Sequence, residues 1–214
     1  MDSREIAFLM RFIEESEAIE SIRNAPGAVA WQLDEEHNPQ RIGHAGALLR
    51  MWDYATVTRM ALTERMVKEV QQLITEEQHL KGERVLPAHL RGQWRDCEMM
   101  VGSRFGEAAR FVPTVMRHLI DDVCQWQERY RSDHSATEAV RFIARFHWQY
   151  ELVHPFVDGN GRSGRALVYY LYRWAGLEPF VFTHEDRCVT YYSCFNEQGP
   201  DWMEWYFLAR TQLG

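Results

Sequence analysis

Apolar residues recur along this chain with a helical period of three and four, and the alternation expected of strands is scarce. Asp2 and Glu5 have the spacing of an N-terminal capping box, after which Ile6, Leu9, Met10, Ile13 and Ile19 predict a first helix running to the turn signal at Pro26-Gly27. Ala45, Leu48, Leu49, Trp52, Leu62, Met66, Val70 and Leu73 keep the same rhythm between Ile42 and Ile74, as two helices or one bent one, ended by Gly82 and Pro87. Residues 91–106 (RGQWRDCEMMVGSRFG) hold three glycines and lose the rhythm, predicting a surface loop or short hairpin. Helicity resumes after Pro113 with Val115, Met116, Leu119, Ile120, Val123 and Trp126. A second capping-box pair, Ser135 and Glu138, opens a helix through Ile143, Phe146, His147 and Tyr150 that must stop before Pro155. Further helices are predicted over Arg162–Ala175, closed by Gly176, then around Arg187–Asn196 and Trp202–Thr211. The sum is an all-α domain of seven or eight helices with one irregular excursion.

Composition narrows the function classes. The 214 residues suit one domain, read here as a single unit over 1–214, and 46% hydrophobic with 26% charged residues is ordinary for a globular protein. The chain is rich in aromatics, with 8 Trp, 9 Tyr and 11 Phe, and Trp148, Trp174, Trp202 and Trp205 are expected in the core. A formal charge of −7, with no Lys/Arg-rich block, argues against bulk nucleic acid, an anionic membrane surface or a helix-turn-helix regulator as the theme. Cys97, Cys124, Cys188 and Cys194 form no CxxC pair, and read as reduced, buried thiols of a cytoplasmic protein. No signal peptide or membrane-length apolar run is present, and the nine histidines form no metal-ligand spacing.

Chemistry concentrates in HPFVDGNGRSGR, residues 154–165, between two strongly patterned helices. Gly159 and Gly161 permit positive φ and leave backbone N–H groups uncovered, and the helix that follows adds its positive end, which together make an anion cradle. Arg162 and Arg165 supply planar forks for phosphate oxygens. Asp158 places a hard carboxylate where a phosphate-bound Mg²⁺ would sit, and His154 is suited to removing a proton from an attacking hydroxyl.

The string resembles the motif of the Fic (filamentation induced by cAMP) family, His-x-Phe-x-(Asp/Glu)-Gly-Asn-Gly-Arg-x-x-Arg, with every defined position filled. The flanking IARFHWQYELVHPF and GRALVYYLYRWAGL also look like the family's helices, and a looser resemblance extends from about Trp94 to Trp205, including Tyr191-Tyr192. It implies an all-helical fold with a hairpin flap at 91–106 that pins an extended stretch of target protein. The implied activity is transfer of AMP from ATP to a Ser, Thr or Tyr hydroxyl of a target protein. His154 would be the base, Asp158 the Mg²⁺ ligand, and Gly159, Asn160 and Gly161 the anion hole; Arg162 would contact the leaving phosphates, Arg165 the γ-phosphate, and Phe156 would be a core anchor. Within residues 1–25, ESEAIESIR (15–23) looks like the family's inhibitory motif (Ser/Thr)-x-x-x-Glu-(Gly/Asn), with Ser16 and Glu20 in place and Ser21 where Gly or Asn is expected. A Glu20 carboxylate on Arg165 would occupy the place of the γ-phosphate. Removal of AMP with Glu20 positioning a water, or a regulatory interaction protein with a nucleotide pocket, are the alternatives; modification of the chain itself and self-association stay open.

Overall fold

The computed structural model describes residues 1–34, 36–132, 134–195 and 199–212, without the side chains of residues 79 and 80. Eight α-helices are present among them: α1 (Ser3–Ile19), α2 (Ala28–Leu33), α3 (Gly43–Trp52), α4 (Glu64–Glu76), α5 (Val112–Tyr130), α6 (Ala136–Val153), α7 (Asn160–Trp174) and α8 (Gly199–Leu208). The architecture is all-α with one two-stranded antiparallel hairpin, β1 (Met100–Val101) and β2 (Arg104–Phe105), inside the predicted excursion. Both predicted capping pairs form: Asp2 accepts the Glu5 N–H at 2.8 Å and Ser135 that of Glu138 at 3.4 Å.

α7 is the centre of the fold. It packs on α3, α4 and α6, while α6 also packs on α5 and α8. All of α7 except Gly161 and Arg173 is buried, the behaviour of a helix that is surrounded rather than amphipathic. The aromatic excess has its explanation beside it: Phe182 meets Phe12, Phe180, Tyr191, Tyr206 and Phe207 at centroid separations of 4.7–6.3 Å. His147, buried, bonds Tyr191 Oη through Nε2 at 2.8 Å.

Several boundaries differ from the pattern reading. The first helix ends at Ile19, and a separate α2 starts after Gly27, whose φ of 79° makes the break. The 42–74 stretch divides into α3, a π-helical turn at Asp53–Val57 and α4, capped by the Thr63 hydroxyl on the Met66 N–H at 3.2 Å. The predicted 187–196 helix is a π-helical turn, Arg187–Tyr191, followed by a 3₁₀ turn, Tyr192–Phe195; Asn196 lies outside the described residues. Trp174 is buried and Trp148 half-buried, but Trp202 and Trp205 are exposed on α8, stacked on each other at 5.2 Å. The thiol expectation is corrected as well: only Cys194 is buried, Cys124 is half-buried, and Cys97, on a loop, and Cys188, in the π-helical turn, are exposed. No helix among the described residues is long and apolar enough to cross a membrane.

Candidate active site

The loop between α6 and α7 is held from every side. His154 ends α6 with φ 52°, a left-handed conformation that costs a non-glycine residue about 1–2 kcal/mol. Arg95 stabilises that turn. Its guanidinium donates to the carbonyls of His154 (2.7 Å), Val153 (3.1 Å), Cys97 (2.7 Å) and Glu107, and its own N–H donates to Pro155 O at 2.9 Å. Asn160 turns its amide back on Phe156, accepting from its N–H and donating to its carbonyl, both at 2.9 Å. Phe156 is fully buried against Trp94, with ring centroids 5.0 Å apart, an anchor as expected.

Gly159 adopts φ 78° and starts α7; its N–H is spent on Asp158 Oδ1 at 2.6 Å. The first intrahelical bond runs from Ser163 N to Gly159 O, so the N–H groups of Asn160, Gly161 and Arg162 remain as the donors of the cradle. Gly161 is helical instead of left-handed, and the Glu20 carboxylate lies where a Cβ at that position would be. Asp158 is aimed by two glutamines that motif spacing did not reveal. Gln78 donates to Oδ2 at 2.6 Å and Gln71 to the Asp158 carbonyl at 3.0 Å.

His154, Asp158, the α7 N-terminus and Arg162 line one cavity of about 320 Å³. A second, of about 530 Å³, lies under the hairpin and is lined by Arg165, Glu151, Tyr191 and Tyr192 among others. Tyr191 is buried and Tyr192 partly exposed, yet both reach this cavity. Glu20, His154 and Gly161 border both spaces, so the Glu20 carboxylate stands as the partition between them.

Glu20 Oε1 accepts from Arg165 at 2.7 Å, and Arg165 also donates to Ser16 Oγ (2.8 Å) and Ser16 O (2.9 Å). Burial opposes ionisation of Glu20, but the charge and hydrogen bond of Arg165 prevail and hold its carboxyl below the usual range. Ser21 follows with φ 63°, and its N–H and that of Ile22 close the helix on Ala18 O and Glu17 O. This left-handed helix stop explains why Gly or Asn suits that position; Ser21 adopts it with strain and accepts from Arg187 at 3.3 Å.

α1 is not a loose strap. It buries Leu9, Phe12, Ile13 and Ile19; Glu5 accepts from Tyr169 and Arg173 at 2.6 Å, and buried Glu17 meets Lys81 and His44. Four such side chains are worth roughly 6–12 kcal/mol, so withdrawing the whole helix costs far more than swinging the Glu20 side chain aside at its C-terminal end.

Burial and the nearby Arg95 charge push His154 down to about 4, leaving its imidazole neutral near pH 7. Glu151, one turn before it, is driven up to about 8 by burial, although Arg165 pulls the other way.

The Fic/DOC family model matches residues 61–172. Protein adenylyltransferase Fic of Drosophila melanogaster is 28% identical over 102 residues, 47% of this chain and 19% of that protein. A probable protein adenylyltransferase of Aquifex aeolicus (strain VF5) is 28% identical over 137 residues, 59% of this chain and 42% of its own length. The chain thus spans less than half of either relative. Among solved structures, a Fic domain containing signaling protein from Bacteroides thetaiotaomicron VPI-5482 superimposes with a TM-score of 0.67 at 19% identity, covering 94% of this chain and 77% of that one. At that identity the likeness concerns the fold.

Proposed function

This chain belongs to the Fic/DOC family, and on that premise we propose that it is a protein adenylyltransferase, moving AMP from ATP to a Ser, Thr or Tyr hydroxyl of a protein, with its first helix restraining the site. The observation that carries the reading is the convergence of a neutral, half-buried His154, the free N–H groups of α7 and Arg162 on one cavity. His154 takes the proton of the attacking hydroxyl as its oxygen bonds to the α-phosphorus, and pyrophosphate leaves. The N–H groups of Asn160, Gly161 and Arg162 face the oxygens on which charge develops, already oriented because Asn160 locks the loop. Arg162 steadies the leaving phosphates, and Arg165 takes the γ-phosphate once Glu20 releases it.

Asp158 fits a Mg²⁺. Its carboxylate borders the cavity, each oxygen accepts one hydrogen bond and keeps a further lone pair, and Mg²⁺ on a polyphosphate asks for only one or two protein carboxylates. When bound, the ion supplies charge neutralisation at the phosphates.

Labelled ATP, Mg²⁺ and cell lysate test the reading. Glu20→Gly is expected to raise protein labelling about tenfold or more, and adding His154→Ala to lower it by roughly 10²–10⁴. Undiminished labelling without His154 overturns its role as base. A folded Glu20→Gly variant no more active than the parent overturns the restraint.

A further inference from the structure

Both arginines of α7 that face the cavities are bridged by carboxylates of this chain, and only one of these contacts follows from a motif. Glu83 stands in the loop after the 3₁₀ turn Gln78–Lys81, just past Gly82, whose φ is 67°. Its two oxygens accept from Nη1 and Nη2 of Arg162 at 3.1 and 2.7 Å, a bidentate fork, with the arginine side chain 3% exposed and the glutamate 14%. Arg162 makes no other side-chain hydrogen bond or ion pair among the described residues, and its Nε is buried without a partner. A carboxylate held in this way offers the guanidinium the same planar pair of acceptors as two oxygens of a phosphate.

The loop is fastened at its ends and free between them. Leu86 is buried and donates its N–H to Gln78 Oε1 at 2.7 Å, whereas Arg84 and Val85 are exposed. Around the cavity, Arg84 and Arg162 stand against Glu20, Glu83 and Asp158, so the cradle's positive charge is already matched from within.

We propose that Glu83 is a displaceable substitute for the β-phosphate, occupying Arg162 until a nucleoside di- or triphosphate evicts it. The inference rests on the nucleotide reading of the cavity and goes beyond it, because it assigns the two internal carboxylates to different phosphates. AMP meets neither, ADP meets Glu83, and ATP in a productive pose meets both Glu83 and Glu20. A residue outside the motif then sets how strongly the site distinguishes di- and triphosphates from a monophosphate.

The test is calorimetric titration of the full chain with AMP, ADP and ATP, in the parent, Glu83→Gln and Glu20→Gly, each checked by thermal unfolding. Glu83→Gln is expected to tighten ADP about tenfold while AMP changes less than about twofold, and Glu20→Gly to tighten ATP but not ADP. ADP affinity unchanged or weakened in folded Glu83→Gln overturns the proposal, since Glu83 would then orient Arg162 for phosphate. Equal gains for AMP and ADP overturn it too, as a general field effect. No binding of any of the three nucleotides by any protein, Glu20→Gly included, overturns the nucleotide reading itself and this inference with it.

Discussion

The 154–161 loop and the 100–105 hairpin border the same cavity under β1 and β2, yet the chain holds them in opposite ways. Asn160, Gln71, Gln78 and Arg95 tie the loop's backbone and carboxylate into place, and its Phe156 is fully buried. The hairpin has two residues per strand, Met100 opposite Phe105 and Val101 opposite Arg104, around a Gly102-Ser103 turn with Gly102 at φ 62°. Met100 and Phe105 turn 53% and 69% of their surface to solvent. Groups that meet developing charge gain by being fixed in advance, whereas an edge that receives an extended segment gains by keeping its backbone and apolar side chains available. Arg95 joins the two, because it binds the carbonyls of Val153 and His154 on one side and of Cys97 and Glu107 on the other.

Arg95→Met is therefore the change that most directly breaks the contrast. It strands four carbonyls in a buried setting and releases the left-handed turn at His154, with an expected loss of about 3–5 kcal/mol of stability and most of the labelling activity. Denaturant unfolding and the labelling assay measure both; a variant as stable and active as the parent shows that the loop is rigid without it.

A second contrast between buried and exposed groups is read by pH. Burial lowers His44 and His154 to about 4 and His147 to about 3, below the free histidine value, so the unfolded chain binds more protons as pH falls below about 6.5. Stability is then full above that pH and lost toward pH 4, with up to about 1.4 kcal/mol per pH unit for each histidine. Glu151, raised to about 8 by burial, acts the other way: its contribution is present below the free carboxylate value and lost as pH rises through 8. These four groups together place greatest stability near pH 6.5, and the acid limb of activity lies below the ordinary histidine range. Thermal unfolding from pH 4 to 9 and a rate profile check the two; a rate limb centred at pH 6.5 shows that His154 is not held neutral by its surroundings.

The least effect on the fold is expected at the hairpin itself. Met100→Ser with Phe105→Ser is expected to change stability by no more than about 0.5 kcal/mol and to leave ATP affinity alone, while labelling of target proteins falls. A large loss of stability would show that the hairpin belongs to the rigid core.

Much of the fold is legible in the sequence because it is local. Apolar spacing, two capping pairs and the Pro155 stop place seven of the eight helices at or close to their observed positions, and residue types alone mark 154–165 as a candidate anion site. Resemblance to a family motif adds Ser16 and Glu20. The pattern reading fails where the local signal is absent or where distant elements override it: a six-residue helix after Pro26-Gly27, π-helical turns that mimic α periodicity, and Trp202 and Trp205 on a helix whose other face is buried.

Local residue order specifies a helical chain with one glycine-rich turn and a carboxylate 145 positions upstream of the second arginine. Which charges meet is set by how the helices pack. Arg95, Gln71, Gln78 and Glu83 act on the loop from 59 to 87 residues away, and no spacing rule links partners so remote in the chain. The physical reason is that a hydrogen bond or ion pair requires three-dimensional approach within about 3 Å, which packing of α7 against its neighbours provides and primary order does not.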